Sequence, residues 1–382
     1  MKNSYIVNIW EFEGKINIKL EKAFLLLINK KISEKYKNKK KIYKKLLKYT
    51  NCPFSTFCVK LKKAHKSFID LEIILSLCKI LNISNKQLQK NIIAYKSRKG
   101  KNMIINPKLP IKITPVFDML IAHHIGDGTV INGKNRTPYF GYRQFNKKYR
   151  FLYLKKIESI FGNVIYKKDY IQNDKTTKIY SPVTCSEWFF KIYNLNTNSF
   201  KSETARIPIA LFNKNWKHKL AFLIGIIIDE GHIDSDLIII RLKNKELITD
   251  LHNLCNDLNY ISTIKPGKEG IFCLYILSKR LGKFYADYCN LLKEYPEIDL
   301  GFKGDKIKQF IKRQNKPKRY IKGNKEKILY ELKNTNLTVN ELSEKLKMTR
   351  QGARYLVNKL IKENLVEIKS ITKFANNQYG LK

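Results

Sequence analysis

Two short segments of the chain end an apolar run with a carboxylate that is followed at once by a glycine. The first is MLIAHHIGDGTV at residues 119–130, and the second is FLIGIIIDEGHI at residues 222–233. When the final glycines are aligned, Asp127 matches Glu230. Carboxylates are oxygen ligands that suit a divalent cation, and a bound cation can activate water and stabilise a leaving oxygen. The pair therefore predicts hydrolytic chemistry that depends on a metal.

The elements that must position these two acids also occur twice. Each segment reads as a buried helix, followed in order by two strand-like runs, a helix-like run, two more strand-like runs and a final helix. The final helix is SEWFFKIYNL in the first copy and KRLGKFYADYCNLL in the second. The sequence thus predicts a tandem repeat of helix–strand–strand–helix–strand–strand–helix.

This double pattern resembles the LAGLIDADG homing endonuclease family, and the resemblance covers residues 112–300, about half of the chain. Laid on the nine-residue motif of that family, the two copies are LIAHHIGDG at residues 120–128 and LIGIIIDEG at residues 223–231. The eighth motif position is the metal-binding acid of the family. The resemblance therefore implies that Asp127 and Glu230 are the catalytic and metal-binding residues, with Mg²⁺ as the cofactor.

The same resemblance implies a particular fold. The two motif helices of such proteins pack side by side along a pseudo-twofold axis, and two four-stranded sheets form a saddle over the major groove of DNA. Small residues at Ala122, Gly126 and Gly225 would let the helix backbones approach closely. Gly128 and Gly231 occupy the ninth motif position, where a glycine ends the helix. We expect the two acids to emerge together at the bottom of the helix pair.

Several positions depart from the family pattern. The seventh motif position is usually small, but Asp229 stands there in the second copy, as a surface acid, a second ligand or a flaw in helix packing. His123 and His124 replace apolar residues of the first helix. We expect one of these histidines to be packed and the other to face solvent or a sheet, and we assign neither of them to metal binding or catalysis.

Basic residues on the strands after each motif are candidates for contacts with nucleic acid. Successive strand residues alternate between the two faces of a sheet, so only part of each strand can face DNA. For each candidate the alternative is a solvated charged face. We predict groove or phosphate contacts for Arg143, Arg241 and Lys243. The candidates for polarising the phosphate or the attacking water, by position alone, are Lys168, Lys279 and Arg280.

The regions on either side of the repeat read as further nucleic-acid-binding modules. Residues 1–100 contain short helical runs with a Lys-rich surface, which favours a helix-turn-helix-like domain over an ordinary basic bundle, and Ser84 is a suitable N-cap. We predict the first half of the repeat at 101–215, the second half at 216–305 and a winged helix-turn-helix at 320–382. The predicted fold class is α+β, a tandem saddle flanked by two small modules.

Three amphipathic helices followed by an alternating segment give the C-terminal region the element order of a winged helix. Thr338 and Glu341 have the spacing of a capping box, and Thr349 opens the third helix. Asn376 and Asn377 mark a turn between the two final strands. The alternative role is a winged helix used for protein contacts. A recognition helix meets bases and phosphates at its start, which here carries Arg350, Gln351 and Arg354.

The composition indicates a polyanionic partner. Lys and Arg total 75 against 32 Asp and Glu, which gives a formal charge of +43, and double-stranded DNA is the partner we expect. The seven cysteines form no CxxC pair, so we expect reduced cysteines in a cytoplasmic protein without a zinc site. The longest apolar run is too short to cross a bilayer and no signal peptide is visible, so no membrane partner is expected. Because both acids lie in one chain, we expect a monomer.

Three functions fit these features. The first is a site-specific DNA endonuclease, which we expect to be free-standing because the chain ends carry no residues typical of self-splicing inteins. The second is a transcription regulator that uses the same fold only to bind DNA. Regulators that resemble this architecture typically lose the acids, so the presence of Asp127 and Glu230 favours the nuclease, whereas the flanking modules favour the regulator. The third is an RNA-processing or intron-splicing cofactor, because basic charge does not separate RNA from DNA.

Overall fold

The chain folds into two compact units, Met1–Arg313 and Gln314–Lys382. The computed structural model describes residues 6–12, 16–49, 52–98, 100, 102–132, 138–165, 178–234, 237–314, 323–371 and 377–382. Helices alternate with antiparallel sheets in both units, so the predicted α+β class is confirmed. The domain boundaries predicted inside the first unit, at residues 100 and 215, remain predictions.

The N-terminal region combines short helices with strands. Its helices are α1 Lys22–Tyr36, α2 Lys39–Leu46, α3 Phe54–Lys62, α4 Leu71–Ile80 and α5 Asn85–Lys90, and its strands are β1 Ile6–Val7, β2 Ile16–Leu20, β3 Ile69–Asp70 and β4 Ile92–Ser97. A tight turn joins α4 to α5, with Asn82 at a φ of 53°, a conformation that Asn tolerates better than most residues. Ser84 caps α5 as predicted, because its Oγ accepts from the backbone N–H of Gln87 at 3.2 Å. The α4–α5 pair therefore has the local form of a helix-turn-helix.

The N-terminal region was expected to be mainly helical, but it also contains strands β2 and β4. Ile16, Ile18 and Leu20 are buried while the two residues between them are half-buried, which is the two-residue period of a strand. β2 pairs with β4 in an antiparallel register that sets Ile18 opposite Tyr95. The short alternating segment INIKL indicates this strand, but a longer apolar helical segment follows it directly in the sequence.

The first motif half has the predicted order of elements. Strands β5 Met103–Ile105 and β6 Ile111–Lys112 lead into it, and its elements are α6 Pro115–Ile125, β7 Gly128–Ile131, β8 Tyr139–Arg143, α7 Lys147–Phe161, β9 Asn163–Ile165, β10 Lys178–Tyr180 and α8 Val183–Ile192.

The sheet of the first half differs from the expected four strands. Within the described residues, β7, β8 and β10 form a three-stranded sheet in the order β10-β8-β7. Strand β9 instead pairs antiparallel with β5 and becomes the edge of a five-stranded sheet ordered β3-β2-β4-β5-β9. An unpaired strand edge exposes a row of backbone groups, and β9 covers that edge of β5. This pairing joins the N-terminal region to the first half through backbone hydrogen bonds.

The second motif half keeps the expected four-stranded sheet. A short helix, α9 Ile209–Phe212, precedes it, and its elements are α10 Trp216–Glu230, β11 Gly231–Asp234, β12 Leu237–Leu242, α11 Lys245–Asp257, β13 Ser262–Pro266, β14 Phe272–Ile276 and α12 Leu281–Glu294. The strand order is β11-β12-β14-β13. A further helix, α13 Phe302–Gln314, follows at the end of the first unit.

A buried ionic network ties the two halves together near the start of α10. Asp118 of α6 is fully buried, and both of its oxygens accept from Lys214 Nζ, at 3.1 and 3.2 Å. The ring of His218 and the hydroxyl of Tyr193 also hydrogen-bond to this carboxylate. Breaking a buried pair by removing one partner is strongly destabilising, so this network holds the helix pair at one end.

The second unit has the elements of a winged helix. Its core includes Ile328, Val357 and Val366, and the predicted capping box is present, with the Thr338 and Glu341 side chains each bonded to the other's backbone N–H. Thr349 Oγ1 accepts from the backbone N–H of Gly352, as expected for an N-cap, whereas Asn376 lies outside the described residues. The elements are α14 Asn324–Asn334, β15 Leu337–Thr338, α15 Val339–Lys345, α16 Arg350–Lys362, β16 Val366–Ile371 and β17 Asn377–Leu381, with sheet order β15-β17-β16.

Candidate functional site

The two motif helices α6 and α10 pack directly against each other at small residues. A Cβ atom added to Gly225 would lie 2.6 Å from the Cβ of Ala122 and 3.0 Å from the carbonyl oxygen of Met119. A Cβ atom added to Gly126 would lie 2.8 Å from the Cβ of Asp229. Glycine has no Cβ, so both positions allow an approach that any other residue would prevent. The predicted close packing of the two helices is confirmed.

The glycine after each acid is crowded in the same way, although α6 ends at Ile125 and α10 continues to Glu230. A Cβ atom added to Gly128 would lie 2.2 Å from the carbonyl oxygen of His124, and one added to Gly231 would lie 2.5 Å from the carbonyl oxygen of Ile227. In both copies the crowded carbonyl belongs to the residue four positions earlier. Both glycines begin a strand, so the chain turns tightly from helix to strand immediately after the acid.

Asp127 lies in the turn just after α6, Glu230 is the last residue of α10, and nearby carboxyl groups raise the pKa of both. The pKa of Asp127 is raised to about 7, first by burial and then by the charge of Asp229. The pKa of Glu230 is also raised to about 7, by burial and then by the charges of Asp127 and Asp229. Three carboxyl groups at the ends of the two motif helices therefore lie within reach of each other's charge, in a partly buried cluster that we call the pocket. Their mutual repulsion favours a bound cation.

The side chain of Asp229 is buried, so Asp229 is not a surface acid, which was one of the three roles considered for it from the sequence. Its side chain is 0% exposed, and Oδ1 accepts from Tyr142 OH at 2.7 Å. Oδ2 lies 2.9 Å from Nδ1 of His123. Burial is the main cause that raises the pKa of Asp229 to about 7. Because the first half engages both oxygens, Asp229 is poorly placed to serve as a second metal ligand.

Strand β8 holds a polar side chain against the first acid. The backbone N–H of Arg143 donates to the carbonyl oxygen of Asp127 at 3.1 Å, and Gln144 Nε2 then donates to the Asp127 carboxylate. The buried guanidinium of Arg150 donates to the carbonyl oxygens of Gln144 and Phe145, at 2.6 and 2.9 Å. Gln144 is therefore fixed from both sides. The sequence contained only its place on a strand after the motif, which does not distinguish it from its neighbours.

Lys303 at the start of α13 is the cation of the pocket. Its Nζ donates to the carbonyl oxygens of Ile227, Ile228 and Gly231 at 2.6 to 2.7 Å, which satisfies the end of α10. The positive charge of Lys303 lowers the pKa of Asp127 and of Glu230, in opposition to burial. Sequence reasoning missed this residue, because nothing in its spacing distinguishes it among 75 Lys and Arg residues.

Of the three residues predicted to polarise the phosphate, two lie in an exposed turn and one lies outside the described residues. Lys279 and Arg280 are exposed in a short turn, Ser278–Arg280, that precedes α12. Lys168 lies outside the described residues. The cation whose charge reaches both acids is Lys303 instead. The role predicted for the other three residues stays a prediction, and Lys303 was not among the candidates because it comes from the helix that follows the repeat.

The residues predicted to contact nucleic acid are accessible. Arg143 ends β8 and is exposed, and its charge also lowers the pKa of Asp127. Arg241 on β12 and Lys243 immediately after that strand are both exposed. In the second unit, exposed side chains at the start of α16 include Arg350, Gln351 and Arg354. Their contacts with nucleic acid remain predictions.

The two histidines of α6 are both buried. His123 contacts Asp229, and His124 Nε2 lies 2.7 Å from Tyr153 OH while its ring stacks on Phe140 of β8 at 3.8 Å. His124 thus faces the sheet, as expected for one of the pair. Burial lowers the pKa of both histidines well below the ordinary value, so both rings are neutral at physiological pH.

The donor set at the helix ends fits Mg²⁺. Among the described residues no group of three or more His, Cys, Asp or Glu is arranged to hold a metal ion. Mg²⁺, however, is usually bound by only one or two carboxylates together with waters and substrate phosphates. Asp127 and Glu230 are such a pair, and their pKa values are raised first by burial and then by neighbouring carboxyl groups. They are the residues that would hold the cation.

Fold and site together define a mixed α+β protein with two motif halves joined along a helix pair and a separate winged helix. The sequence profile of the MarR family matches residues 327–371, which lie within the winged helix. A search of curated proteins gives no match. No helix among the described residues has the length and apolar character needed to cross a membrane.

Solved structures with a similar arrangement include homing endonucleases and a second class of protein. The homing endonuclease I-DmoI in complex with DNA and Mn is 15% identical, with a TM-score of 0.31 over 45% of this chain and 95% of that chain. Full-length DUF199/WhiA from Thermatoga maritima is 16% identical, with a TM-score of 0.32 over 65% of this chain and 90% of that chain. The N-terminal LAGLIDADG domain of DUF199/WhiA is 18% identical, with a TM-score of 0.29 over 45% of this chain and 80% of that chain.

Proposed function

We propose that this protein is a site-specific endonuclease that hydrolyses phosphodiester bonds of double-stranded DNA. The observation that carries the proposal is that Asp127 and Glu230 follow or end two tightly packed helices, and that the charge of Asp127 raises the pKa of Glu230. A purely structural use of these positions would not require two carboxylates that repel each other in a partly buried site. A divalent cation and a DNA phosphate would remove that repulsion.

Each residue of the pocket would have its own role in hydrolysis. When bound, Mg²⁺ would lower the pKa of water and neutralise charge on the departing oxygen. Asp127 and Glu230 would bind the cation, one from each half of the molecule. Gln144 orients the Asp127 carboxylate. Lys303 holds the end of α10 in place and reduces the repulsion among the acids until a cation binds.

The surface around the pocket supports DNA as the substrate. Arg143 and Arg241 occupy matching positions after the two motifs, since β8 and β12 each pair with the strand that starts at the motif glycine. Both side chains are exposed, and the whole chain carries a formal charge of +43. One arginine from each half is suited to one half-site of a duplex. The exposed Arg350, Gln351 and Arg354 would extend recognition through the winged helix.

The second candidate is a transcription regulator that binds DNA without cutting it. The match of residues 327–371 to the MarR family favours this function, because it concerns the winged helix alone and is independent of the acids. Both candidates require binding to double-stranded DNA that weakens steeply with salt. They differ only in whether Asp127 and Glu230 act on the bound phosphate.

The experiment is a selection from a random duplex pool, followed by incubation of the selected duplexes with the full-length protein and Mg²⁺. We expect cleavage at defined positions. Asp127→Asn and Glu230→Gln each remove one charge from the pocket, so we expect at least ~1,000-fold slower cleavage. A tenfold change in rate corresponds to about 1.4 kcal/mol, so this loss corresponds to about 4 kcal/mol of transition-state stabilisation. Affinity measured in Ca²⁺ should stay within about threefold, because recognition uses other residues.

A control variant is Asp257→Asn, which removes a surface carboxylate paired with Lys219 at 2.7 Å on the outer helix α11. It should cleave like the wild type. Tight and sequence-specific binding without cleavage in Mg²⁺ or Mn²⁺ would contradict the endonuclease and support the regulator. Selection of single-stranded or structured RNA in preference to duplex DNA would contradict both and support an RNA cofactor.

A further inference from the structure

The buried carboxylate of Asp229 links the second motif helix to three separate elements of the first half. Tyr142 OH from β8 donates to Oδ1 at 2.7 Å, and Nδ1 of His123 from α6 lies 2.9 Å from Oδ2. Gly126, in the turn after α6, packs so closely against the same side chain that no Cβ atom fits there. A helix, a turn and a strand of one half thus converge on a single residue of the other half.

The position of Asp229 in the chain gives this contact a consequence for the site. Asp229 immediately precedes Glu230 on the rigid last turn of α10. Asp229 contacts Gly126, which precedes Asp127, and Tyr142, which precedes Arg143. The N–H of Arg143 donates to the Asp127 carbonyl oxygen at 3.1 Å, so these contacts hold the backbone of one metal-binding acid relative to the other. Gly126 lets Asp229 come this close, since any Cβ there would lie 2.8 Å from the Cβ of Asp229.

Helix packing alone does not explain a carboxylate at this position. A buried charge costs several kcal/mol unless it is paired and hydrogen-bonded, and a small residue would fill the contact without that cost. Nε2 of His123 is buried without a hydrogen-bond partner among the described residues, so the arrangement leaves one polar atom unsatisfied. A second cation, Lys156, is buried nearby and its charge opposes that of Asp229. Several polar groups are thus buried to keep this carboxylate in place.

We propose that Asp229 is a positioning residue that sets the separation of Asp127 and Glu230 by clasping the first half, and thereby sets the affinity of the site for its divalent cation. This inference rests on the proposed function of the two acids. It differs from a ligand role, because Asp229 acts through the backbone of Asp127 and through Tyr142. Loss of the Asp229 side chain should therefore weaken metal binding and slow the chemical step, while DNA affinity is retained.

The test compares Asp229→Ala with Asp229→Asn in the full chain. Alanine is the size expected for the motif and removes every bond of the clasp, whereas an asparagine carbonyl can still accept from Tyr142 and its side chain keeps the contact with Gly126. We expect Asp229→Ala to weaken Mn²⁺ binding, measured by calorimetry, by ~10–100-fold, as is typical when a residue that orients a metal ligand is lost. Single-turnover cleavage of the selected duplex should slow by ~100-fold, as for a misplacement of about 1 Å. Asp229→Asn should restore most of both.

A matched control is available at the other end of the same helix pair. Asp118→Ala removes an equally buried carboxylate that also joins the two halves, but it does so through Lys214 and His218, away from the acids. Both alanine variants should lose thermal stability. Only Asp229→Ala should lose Mn²⁺ affinity and speed up hydrogen exchange at the Arg143 amide.

Each outcome decides a different claim. Wild-type Mn²⁺ affinity in Asp229→Ala, or an equal loss in Asp118→Ala, would overturn the positioning role while leaving the proposed function intact. Failure of Asp229→Asn to recover any affinity would overturn it as well, since the clasp needs an acceptor rather than a charge. A wild-type protein that binds no Mn²⁺ and cleaves no selected duplex would contradict the proposed function itself, and the inference would fall with it.

Discussion

At the residue scale, the pocket is a set of carboxyl groups whose protonation is shifted toward neutral pH. Asp127, Asp229 and Glu230 each have a pKa raised to about 7, and burial is the largest cause for all three. Lys303 offsets part of this effect from the end of α10. The chemistry of the site therefore depends on how strongly nearby cations, whether lysine or metal, stabilise the ionised carboxylates.

These shifts predict how stability depends on pH when no divalent cation is present. Because the folded-state pKa values lie above the unfolded values near 4, the folded state binds more protons between pH 4 and pH 7. The stabilisation from this cluster is fully present below about pH 4 and is lost as the pH rises through about 7. Each unit of pKa difference in one group corresponds to about 1.4 kcal/mol in the free energy of unfolding.

Urea unfolding at a series of pH values, with chelator added, measures this dependence. Asp229→Asn lacks one of the titrating groups, so its free energy of unfolding should fall less than that of the wild type between pH 5 and pH 8. Addition of Mg²⁺ at pH 8 should raise the stability of the wild type. Identical pH profiles for the two proteins would rule out a raised pKa at Asp229.

At the element scale, the helix pair α6–α10 is what converts two distant motifs into one pocket. Gly225 and Gly126 set the distance between the helix backbones, and the Asp118 network holds the end opposite the acids. Strand β8 then brings Gln144 to Asp127 through a backbone hydrogen bond. A change in helix separation should therefore change both stability and metal binding.

Gly225→Ala tests this dependence. The new Cβ would lie 2.6 Å from the Cβ of Ala122 and 3.0 Å from a backbone oxygen, so the helices must separate. We expect a loss of ~1–3 kcal/mol in the free energy of unfolding, which is typical for overpacking, together with weaker Mn²⁺ binding. The measurement is urea unfolding combined with calorimetry.

The control for this substitution is Gly282→Ala in α12, where an added Cβ meets nothing within 4 Å. It should be neutral or stabilising by about 0.5 kcal/mol, because alanine favours helix more than glycine does. Ala122→Gly combined with Gly225→Ala should recover part of the loss. If Gly225→Ala and Gly282→Ala behave alike, the helices are not in the tight contact described above.

At the scale of the whole molecule, the acids proposed for catalysis and part of the residues predicted to bind DNA lie in different compact units. The acids lie in Met1–Arg313, whereas Arg350, Gln351 and Arg354 lie in Gln314–Lys382. The pairing of β9 with β5 makes the N-terminal region continuous with the first half. Substitutions in the winged helix should therefore affect DNA binding without affecting the bond-breaking step.

Arg350→Ala and Arg354→Ala test this separation in the full chain. Each arginine that contacts a phosphate contributes to the salt dependence of binding, so each substitution should weaken affinity and lower the slope of log K against log salt by about 1. Fluorescence anisotropy at several salt concentrations measures this slope. Single-turnover cleavage at saturating protein should be unchanged, and a slower rate at saturation would contradict the separation. Gln351→Ala, which removes no charge, is the control for the salt slope.

The sequence by itself determined the local features whose causes lie close together along the chain. The repeated acid–glycine segments, the caps at Ser84, Thr338 and Thr349, and the order of helices and strands follow from periodicity and capping within about one turn. Even the close packing at Gly225 was predictable, because small residues within an apolar helix favour close helix approach.

Only the tertiary structure decided which distant groups meet in the pocket. Lys303, Gln144 and Asp229 act there because of the way α13, β8 and α10 pack, and no spacing in the chain encodes those contacts. The pairing of β9 with β5 was equally hidden, since backbone hydrogen bonds between strands carry little side-chain signature. Long-range contacts depend on the summed packing of many elements, whereas helix ends and turns depend on a few neighbouring residues.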